Sequence, residues 1–136
     1  MLILMTYSST QPTISLSSGE AEYYGVVKAS SVGLGLKAMV KDMGLTMDLE
    51  VLTDASAAKG IAARRGLGTT RHIDVHYLWV QERVRSGDLV LHKVKGTENP
   101  ADLMTKHLSA PEIHKYMSKI GFEYREGRAA VPPLAT

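Results

Sequence analysis

The chain has 136 residues, of which 44% are hydrophobic and 22% are charged, and its formal net charge is +2. This length suits one domain with a substantial core, and the balance is that of an ordinary globular protein. The absence of cysteine excludes disulfides and thiolate metal sites, and no apolar run reaches the length of a membrane span. The apolar start lacks the basic residues of a signal peptide, so we expect an intracellular protein that is not secreted.

Two strands and one long helix are predicted in the first third of the chain. Residues 2–7 are apolar and favour a strand, and residues 13–17 alternate in the way typical of a strand with one buried face. A helix is predicted over residues 19–43, with a serine at position 17 or 18 as its cap and Gly44 as its end.

Two carboxylates lie at the start of this helix and cannot share a face, because they are two residues apart. The apolar stripe of the helix, in steps of three and four, consists of Val26, Ala29, Gly33, Leu36, Val40 and Met43. Extending the stripe back by one turn reaches Glu22, whereas Glu20 falls on the opposite side, where the helix dipole favours an acid. The periodicity therefore predicts an inward Glu22 that needs a cation or partner, or a Glu22 solvated at the rim of the helix.

An α/β unit is predicted next, with a strand over residues 49–53 and a helix over residues 55–64. Asp54 lies between them, at the strand end where ligands gather in α/β proteins; a helix cap is the alternative role. A basic patch follows, which favours either nucleic-acid binding or a solvated loop. It is formed by Arg64, Arg65, Arg71 and His72.

The remaining chain alternates in the same manner. A helix is predicted over residues 73–85 and a strand over residues 89–94. Asn99 then suits a helix cap, which places Asp102 in the first turn of a helix that runs to about residue 107. This position fits a helix-capping acid or a ligand. A final helix is predicted over residues 110–120.

Three acids, Glu22, Asp54 and Asp102, occupy positions that can converge on one edge of a mixed α/β sheet. Clustered carboxylates raise one another's pKa unless a cation neutralises them. Oxygen-only clusters suit Mg²⁺ or Mn²⁺, and such a site fits two-metal phosphoryl chemistry. Spacing alone leaves the convergence open.

Four blocks of sequence carry a family signature, namely residues 11–23 (QPTISLSSGEAEY), 53–58 (TDASAA), 70–77 (TRHIDVHY) and 99–106 (NPADLMTK). In this order they resemble the ribonuclease H domain at the C-terminus of Ty1/copia-type retrotransposon Pol polyproteins. The resemblance implies an α/β, ribonuclease H-like mixed sheet flanked by helices, N-terminally truncated to three or four strands. It also implies a partial domain over residues 1–108 that lacks its first strand. A C-terminal helical extension over residues 109–124 and a disordered tail over residues 125–136 would follow.

The resemblance implies that Glu22, Asp54 and Asp102 are catalytic residues and ligands of two Mg²⁺ or Mn²⁺ ions. The implied reaction is hydrolysis of the RNA strand of an RNA–DNA hybrid during reverse transcription. Candidate contacts to the hybrid backbone are Arg64, Arg65, Arg71 and His72. The implied partners are the hybrid and the rest of the Pol polyprotein, including reverse transcriptase, and no membrane. The implied location is a cytoplasmic particle or the nucleus.

One departure from the family lowers the expected activity. Ribonuclease H domains begin with a strand whose Asp bridges both metal ions, and no acid before Asp54 lies on a predicted N-terminal strand. A site that has three of the family's four carboxylates would bind two ions poorly, so we expect the chain to be weakly active or inactive alone. A non-catalytic nucleic-acid-binding module and an inert relic of a Pol polyprotein stay open as alternatives.

Overall fold

A computed structural model of the protein describes residues 3–12, 14–68, 73, 75–123 and 127, without the side chain of His76. The chain divides into two compact units, Ser9–Asn99 and a second unit that joins the residues up to Ser8 with those from Pro100. Arg71 and His72, both predicted to contact nucleic acid, lie outside the described residues.

The described residues of the larger unit form three α-helices and a small sheet. Its elements are α1 (Ser18–Asp42), β1 (Glu50–Thr53), α2 (Ser56–Ala63), a 3-10 helix (Val75–Leu78), α3 (Trp79–Ser86), β2 (Val90–Lys93) and a 3-10 helix (Gly96–Glu98). Strands β1 and β2 pair in parallel, with Glu50 opposite Val90 and Thr53 opposite Lys93. The predicted α/β class is therefore confirmed, and the predicted helices and strands from residue 18 to residue 93 lie within a few residues of the observed ones.

The expected three- or four-stranded sheet is wrong for the described residues, which form a sheet of two strands. The two segments predicted as strands near the N-terminus, residues 2–7 and 13–17, do not form strands at their described residues. Leu4 is 71% exposed, and Ile14 and Leu16 are 89% and 67% exposed. A strand is held by a neighbouring strand and a buried face, and these segments have neither, so alternation alone does not produce one.

Side-chain caps at both Ser17 and Glu20 begin α1. The hydroxyl oxygen of Ser17 accepts the backbone N–H of Glu20 at 3.2 Å, and the Glu20 carboxylate accepts the backbone N–H of Leu16 at 2.9 Å. Glu20 is consequently 2% exposed, whereas Glu22 is exposed. The prediction of an outward Glu20 is wrong, because capping draws Glu20 back over the helix end, and of the two alternatives for Glu22 the solvated one is observed.

The buried face of α1 also has a different phase from the predicted stripe. It consists of Glu20, Tyr23, Tyr24, Val26, Val27 and Ser30. Ala29 is exposed and Met43 is 75% exposed, whereas Gly33, Leu36 and Val40 are half-buried, so the predicted stripe follows the buried face only in part. The error in orientation came from extending the stripe back from Val26 by four residues to Glu22, whereas a step of three reaches the buried Tyr23.

The core of this unit lies between α1, α2, α3 and the sheet. Its buried apolar residues are Tyr23, Tyr24, Val26, Val27, Val51, Ala58, Ile61, Ala62, Ile73, Val80 and Leu91. The Tyr23 hydroxyl donates to the Tyr77 carbonyl oxygen at 3.0 Å, and burial raises the pKa of Tyr23 to about 12. The phenol therefore stays protonated and ties α1 to the segment before α3.

The second unit contains a 3-10 helix (Pro100–Met104) and α4 (Ala110–Lys119). Ser109 and Glu112 form a capping box at the start of α4, and Tyr116 is its buried residue. The helix predicted over residues 99–107 is shorter than expected and has 3-10 rather than α geometry. None of the helices in the described ranges combines the length and the apolar character that a membrane crossing requires.

Candidate functional site

Glu22 and Asp54 line the same open cavity, which has a volume of about 320 Å³. Glu22 comes from the first turns of α1, and Asp54 follows the last residue of β1. The other lining residues come from the starts of α1 and α2 and are Ser18, Gly19, Ala55, Ser56 and Ala57. Two acids that are 32 positions apart in sequence thus share one surface of the larger unit.

The parallel pairing of the strands fixes the position of Asp54. The backbone N–H of Val94 donates to the Thr53 carbonyl oxygen at 2.9 Å, so the chain leaving β2 runs beside Asp54. A Cβ atom added at Gly96 would lie 3.5 Å from Asp54 Oδ2. The Thr53 hydroxyl oxygen accepts the backbone N–H of Ala55 at 3.2 Å, which turns the chain into α2. The predicted position of Asp54 at the carboxyl end of a strand is confirmed.

Close approach of α1 and α2 shapes the cavity and depends on Gly19. A Cβ atom at Gly19 would lie 2.9 Å from the Cβ of Ala57, which is closer than side chains pack. We expect Gly19→Ala to lower the free energy of unfolding by about 1–2 kcal/mol, because the two helices must separate. Urea denaturation measures this change.

Gly25→Ala is the matched control in the same helix. A Cβ atom at Gly25 meets nothing within 4 Å. Removing a glycine from an exposed helix interior stabilises it, so this variant should gain about 0.5–1 kcal/mol. A Gly19→Ala protein that is as stable as the Gly25→Ala protein would show that the helix contact does not require glycine.

The oxygens of both carboxylates are available to a ligand. Glu22 is exposed and Asp54 is half-buried. Within the described ranges, neither side chain accepts a hydrogen bond or forms an ion pair. Hard divalent cations such as Mg²⁺ prefer oxygen ligands and commonly bind through one or two carboxylates with water completing the shell. The donor set of the cavity fits such a cation.

Asp102, the third predicted ligand, lies in the second unit. It is 7% exposed, and the Lys106 ammonium lies 3.0 Å from its carboxylate, one helical turn away. Across the described part of the chain, no three His, Cys, Asp or Glu side chains are grouped closely enough to hold a metal ion. The structure therefore brings Glu22 and Asp54 together, and the metal-binding role of all three acids stays a prediction.

The basic residues that are described differ in their surroundings. Arg65 is exposed, whereas Arg64 is half-buried and donates from Nη2 to the Leu67 carbonyl oxygen at 2.6 Å. A Cβ atom at Gly68 would lie 2.9 Å from the Arg64 guanidinium. Arg64 therefore helps to shape the loop after α2, while Arg65 is presented to solvent. Their predicted contact with nucleic acid is untested.

Three side chains with clear roles were missed from the sequence. The Ser17-x-x-Glu20 spacing is a capping-box signature and could have revealed the buried role of Glu20. Gln81 is 4% exposed and binds the loop at Gly66, but nothing in the spacing of the sequence marks it. Lys93 donates from Nζ to Ser56 Oγ at the cavity, which only the register of the sheet reveals.

The larger unit is thus a parallel α/β unit with two carboxylates at the carboxyl edge of its sheet. The chain is 33% identical over 101 residues to the retrovirus-related Pol polyprotein from transposon TNT 1-94 of Nicotiana tabacum, a match that covers 73% of the chain and 8% of that protein. It is 30% identical over 117 residues to the retrovirus-related Pol polyprotein from transposon RE1 of Arabidopsis thaliana, which covers 84% of the chain and 8% of that protein.

These relatives identify the homologues of the chain as retrotransposon Pol polyproteins. The Pol part of the predicted resemblance is confirmed, and the chain spans about 8% of the length of the curated relatives it matches. No family model and no solved structure matches the chain.

Proposed function

We propose that the chain is the ribonuclease H segment of a retrotransposon Pol polyprotein, which hydrolyses the RNA strand of an RNA–DNA hybrid, and that the chain alone is weakly active or inactive. The observation that carries this proposal is the shared cavity of Glu22 and Asp54 at the carboxyl edge of the sheet. The homology to Pol polyproteins supports the setting, since reverse transcription produces such hybrids. The proposed activity belongs inside the cell, in a cytoplasmic particle or the nucleus.

In this proposal Glu22 and Asp54 hold a divalent cation, Mg²⁺ or Mn²⁺, while the role of Asp102, which lies in the second unit, stays a prediction from the family resemblance. When bound, such ions stabilise charge on a phosphodiester and lower the pKa of water. The chain's own contribution is to position the two carboxylates, Asp54 through the turn from β1 into α2 and Glu22 through the capped start of α1. Glu22 is exposed and Asp54 is half-buried, and the open cavity that they line gives a nucleic-acid backbone access to them.

The proposed substrate contacts come from the basic residues beyond α2. Arg65 is exposed next to the end of α2, and Arg71 and His72 follow in sequence. Arg64 would act mainly by holding the loop, since its guanidinium already contacts Leu67. Contacts to phosphates and 2′-hydroxyls read the shape of a hybrid rather than its sequence. The rest of the Pol polyprotein, including reverse transcriptase, is the proposed protein partner.

Cleavage of an RNA–DNA hybrid labelled on each strand in turn tests the proposal. We expect slow cleavage of the RNA strand alone, dependent on Mn²⁺ or Mg²⁺. Asp54→Asn and Glu22→Gln should each reduce the rate at least about 100-fold, because electrostatic stabilisation of the transition state is lost. Asp48→Asn is the matched control, since Asp48 is exposed and lies outside the cavity.

Other outcomes of this assay would contradict the proposal. Cleavage that persists in Asp54→Asn would show that a contaminating nuclease or another site is responsible. Salt-dependent hybrid binding without any cleavage would favour the non-catalytic nucleic-acid-binding module instead. If the chain neither binds nor cleaves the hybrid, an inert relic would be favoured.

A further inference from the structure

Lys93 places a positive charge beside the two carboxylates. It is the last residue of β2 and lies opposite Thr53 in the register of the sheet, next to the strand end that carries Asp54. Its ammonium donates to the hydroxyl oxygen of Ser56, which lines the cavity together with Glu22 and Asp54. The pairing of β1 and β2 thus delivers one cation to a site with two acids.

The charge of Lys93 is not used for folding within the described residues. Two other cations, Arg83 and Lys106, have carboxylate partners, namely Asp88 at 2.7 Å and Asp102 at 3.0 Å. No carboxylate of the described residues forms an ion pair with Lys93, whose side chain is exposed. An ammonium has three donors, so two remain available after the bond to Ser56.

A phosphodiester that approaches this cavity meets two negative charges. Repulsion between these carboxylates and a phosphate must be offset by positive charge close to the site. Lysine is a compact point charge that binds phosphate oxygens without the fixed geometry of arginine. The sheet holds Lys93 at this edge, and Ser56 restrains the position of its ammonium.

We propose that Lys93 binds a backbone phosphate of the nucleic acid at the cavity and, restrained by Ser56, seats the strand against Glu22 and Asp54. This inference rests on the proposed function, because it takes the same nucleic acid as the ligand. It adds a phosphate contact on β2 that is separate from the basic residues beyond α2. It concerns binding of the strand and not the chemical step.

Hybrid binding by the full chain in EDTA tests this inference apart from catalysis. We expect Lys93→Gln to weaken binding about 3- to 10-fold and to reduce the slope of log K against log salt by about 1. Lys59→Gln is the matched control, since Lys59 is an exposed lysine of α2 outside the cavity. Its affinity and slope should both stay close to those of the unmodified chain.

Lys93→Arg separates a charge contact from a structural role. This variant keeps the charge, so its affinity should stay within about 2-fold of the unmodified chain. Three results would overturn the inference. The first is a loss of hybrid affinity in Lys93→Arg as large as that in Lys93→Gln, and the second is an equal loss in Lys59→Gln and Lys93→Gln. The third is that the chain does not bind the hybrid. Lys93-dependent binding without any cleavage would uphold it while contradicting the proposed function. Cleavage by the chain together with unchanged hybrid binding in Lys93→Gln would support the proposed function and contradict the inference about Lys93.

Discussion

Glu20→Ala is expected to lower the free energy of unfolding by about 2 kcal/mol. The Glu20 carboxylate is buried and accepts the backbone N–H of Leu16 at 2.9 Å, while Ser17 caps the Glu20 amide. Removal of the Glu20 carboxylate leaves the Leu16 N–H without that acceptor and opens the start of α1. Chemical denaturation measures the loss, and hydrogen exchange at the amides of the first turn locates it.

The neighbouring acid provides the control for this experiment. Glu22 is exposed, so Glu22→Ala should change the free energy of unfolding by less than about 0.5 kcal/mol. The two variants therefore separate a structural glutamate from a ligand-binding one. Equal destabilisation, or a larger loss for Glu22→Ala, would contradict the assignment of Glu20 as the capping residue.

Gln81→Ala is expected to have the larger effect on stability, about 3 kcal/mol. The Gln81 amide is 4% exposed and makes three hydrogen bonds. Its oxygen accepts the Gly66 backbone N–H at 2.8 Å, and its nitrogen donates to the Ile61 and Gly66 carbonyl oxygens at 2.8 Å and 3.0 Å. Alanine would leave these groups unpaired beside the core, and each such group costs about 1–3 kcal/mol.

The same substitution should loosen the loop that follows α2. Gly66 lies beside Arg65, one of the proposed hybrid contacts, so hydrogen exchange at the Gly66 amide should become much faster. Glu82→Ala is the control, because Glu82 is exposed and neighbours Gln81 in α3. Unchanged protection of Gly66 in Gln81→Ala would show that other contacts hold the loop.

The elements of the larger unit could be predicted because their local signals agree. Ser17 and Gly44 mark the ends of α1, and Gly87 has the positive φ of 79° expected after α3. The position of Asp54 follows from the strand that precedes it. These features depend on residues near one another in sequence, which capping and strand patterns report directly.

Features that depend on distant residues could not be predicted. The alternating segment around Ile14 has the pattern of a strand but no neighbouring strand in the described residues. The orientation of Glu22 was misjudged because the stripe of α1 was extended back from Val26 by a step of four, whereas the core takes Tyr23, a step of three away. Lys93 reaches Ser56 through the register of two strands, which no local pattern in the sequence encodes.

The cation site proposed here joins Glu22 and Asp54, which line one cavity. Two carboxylates that bind the same ion should contribute together. Loss of either one should therefore weaken Mn²⁺ binding by about tenfold or more, which corresponds to about 1.4 kcal/mol. Proper folding of the variants can be checked by circular dichroism.

Titration of Mn²⁺ into the full chain, followed by electron paramagnetic resonance of the free ion, tests this claim most directly. We expect that Glu22→Gln and Asp54→Asn each weaken binding, that the double variant is little worse than either one, and that Asp48→Asn binds normally. Equal Mn²⁺ affinity in the unmodified chain and the double variant would contradict it.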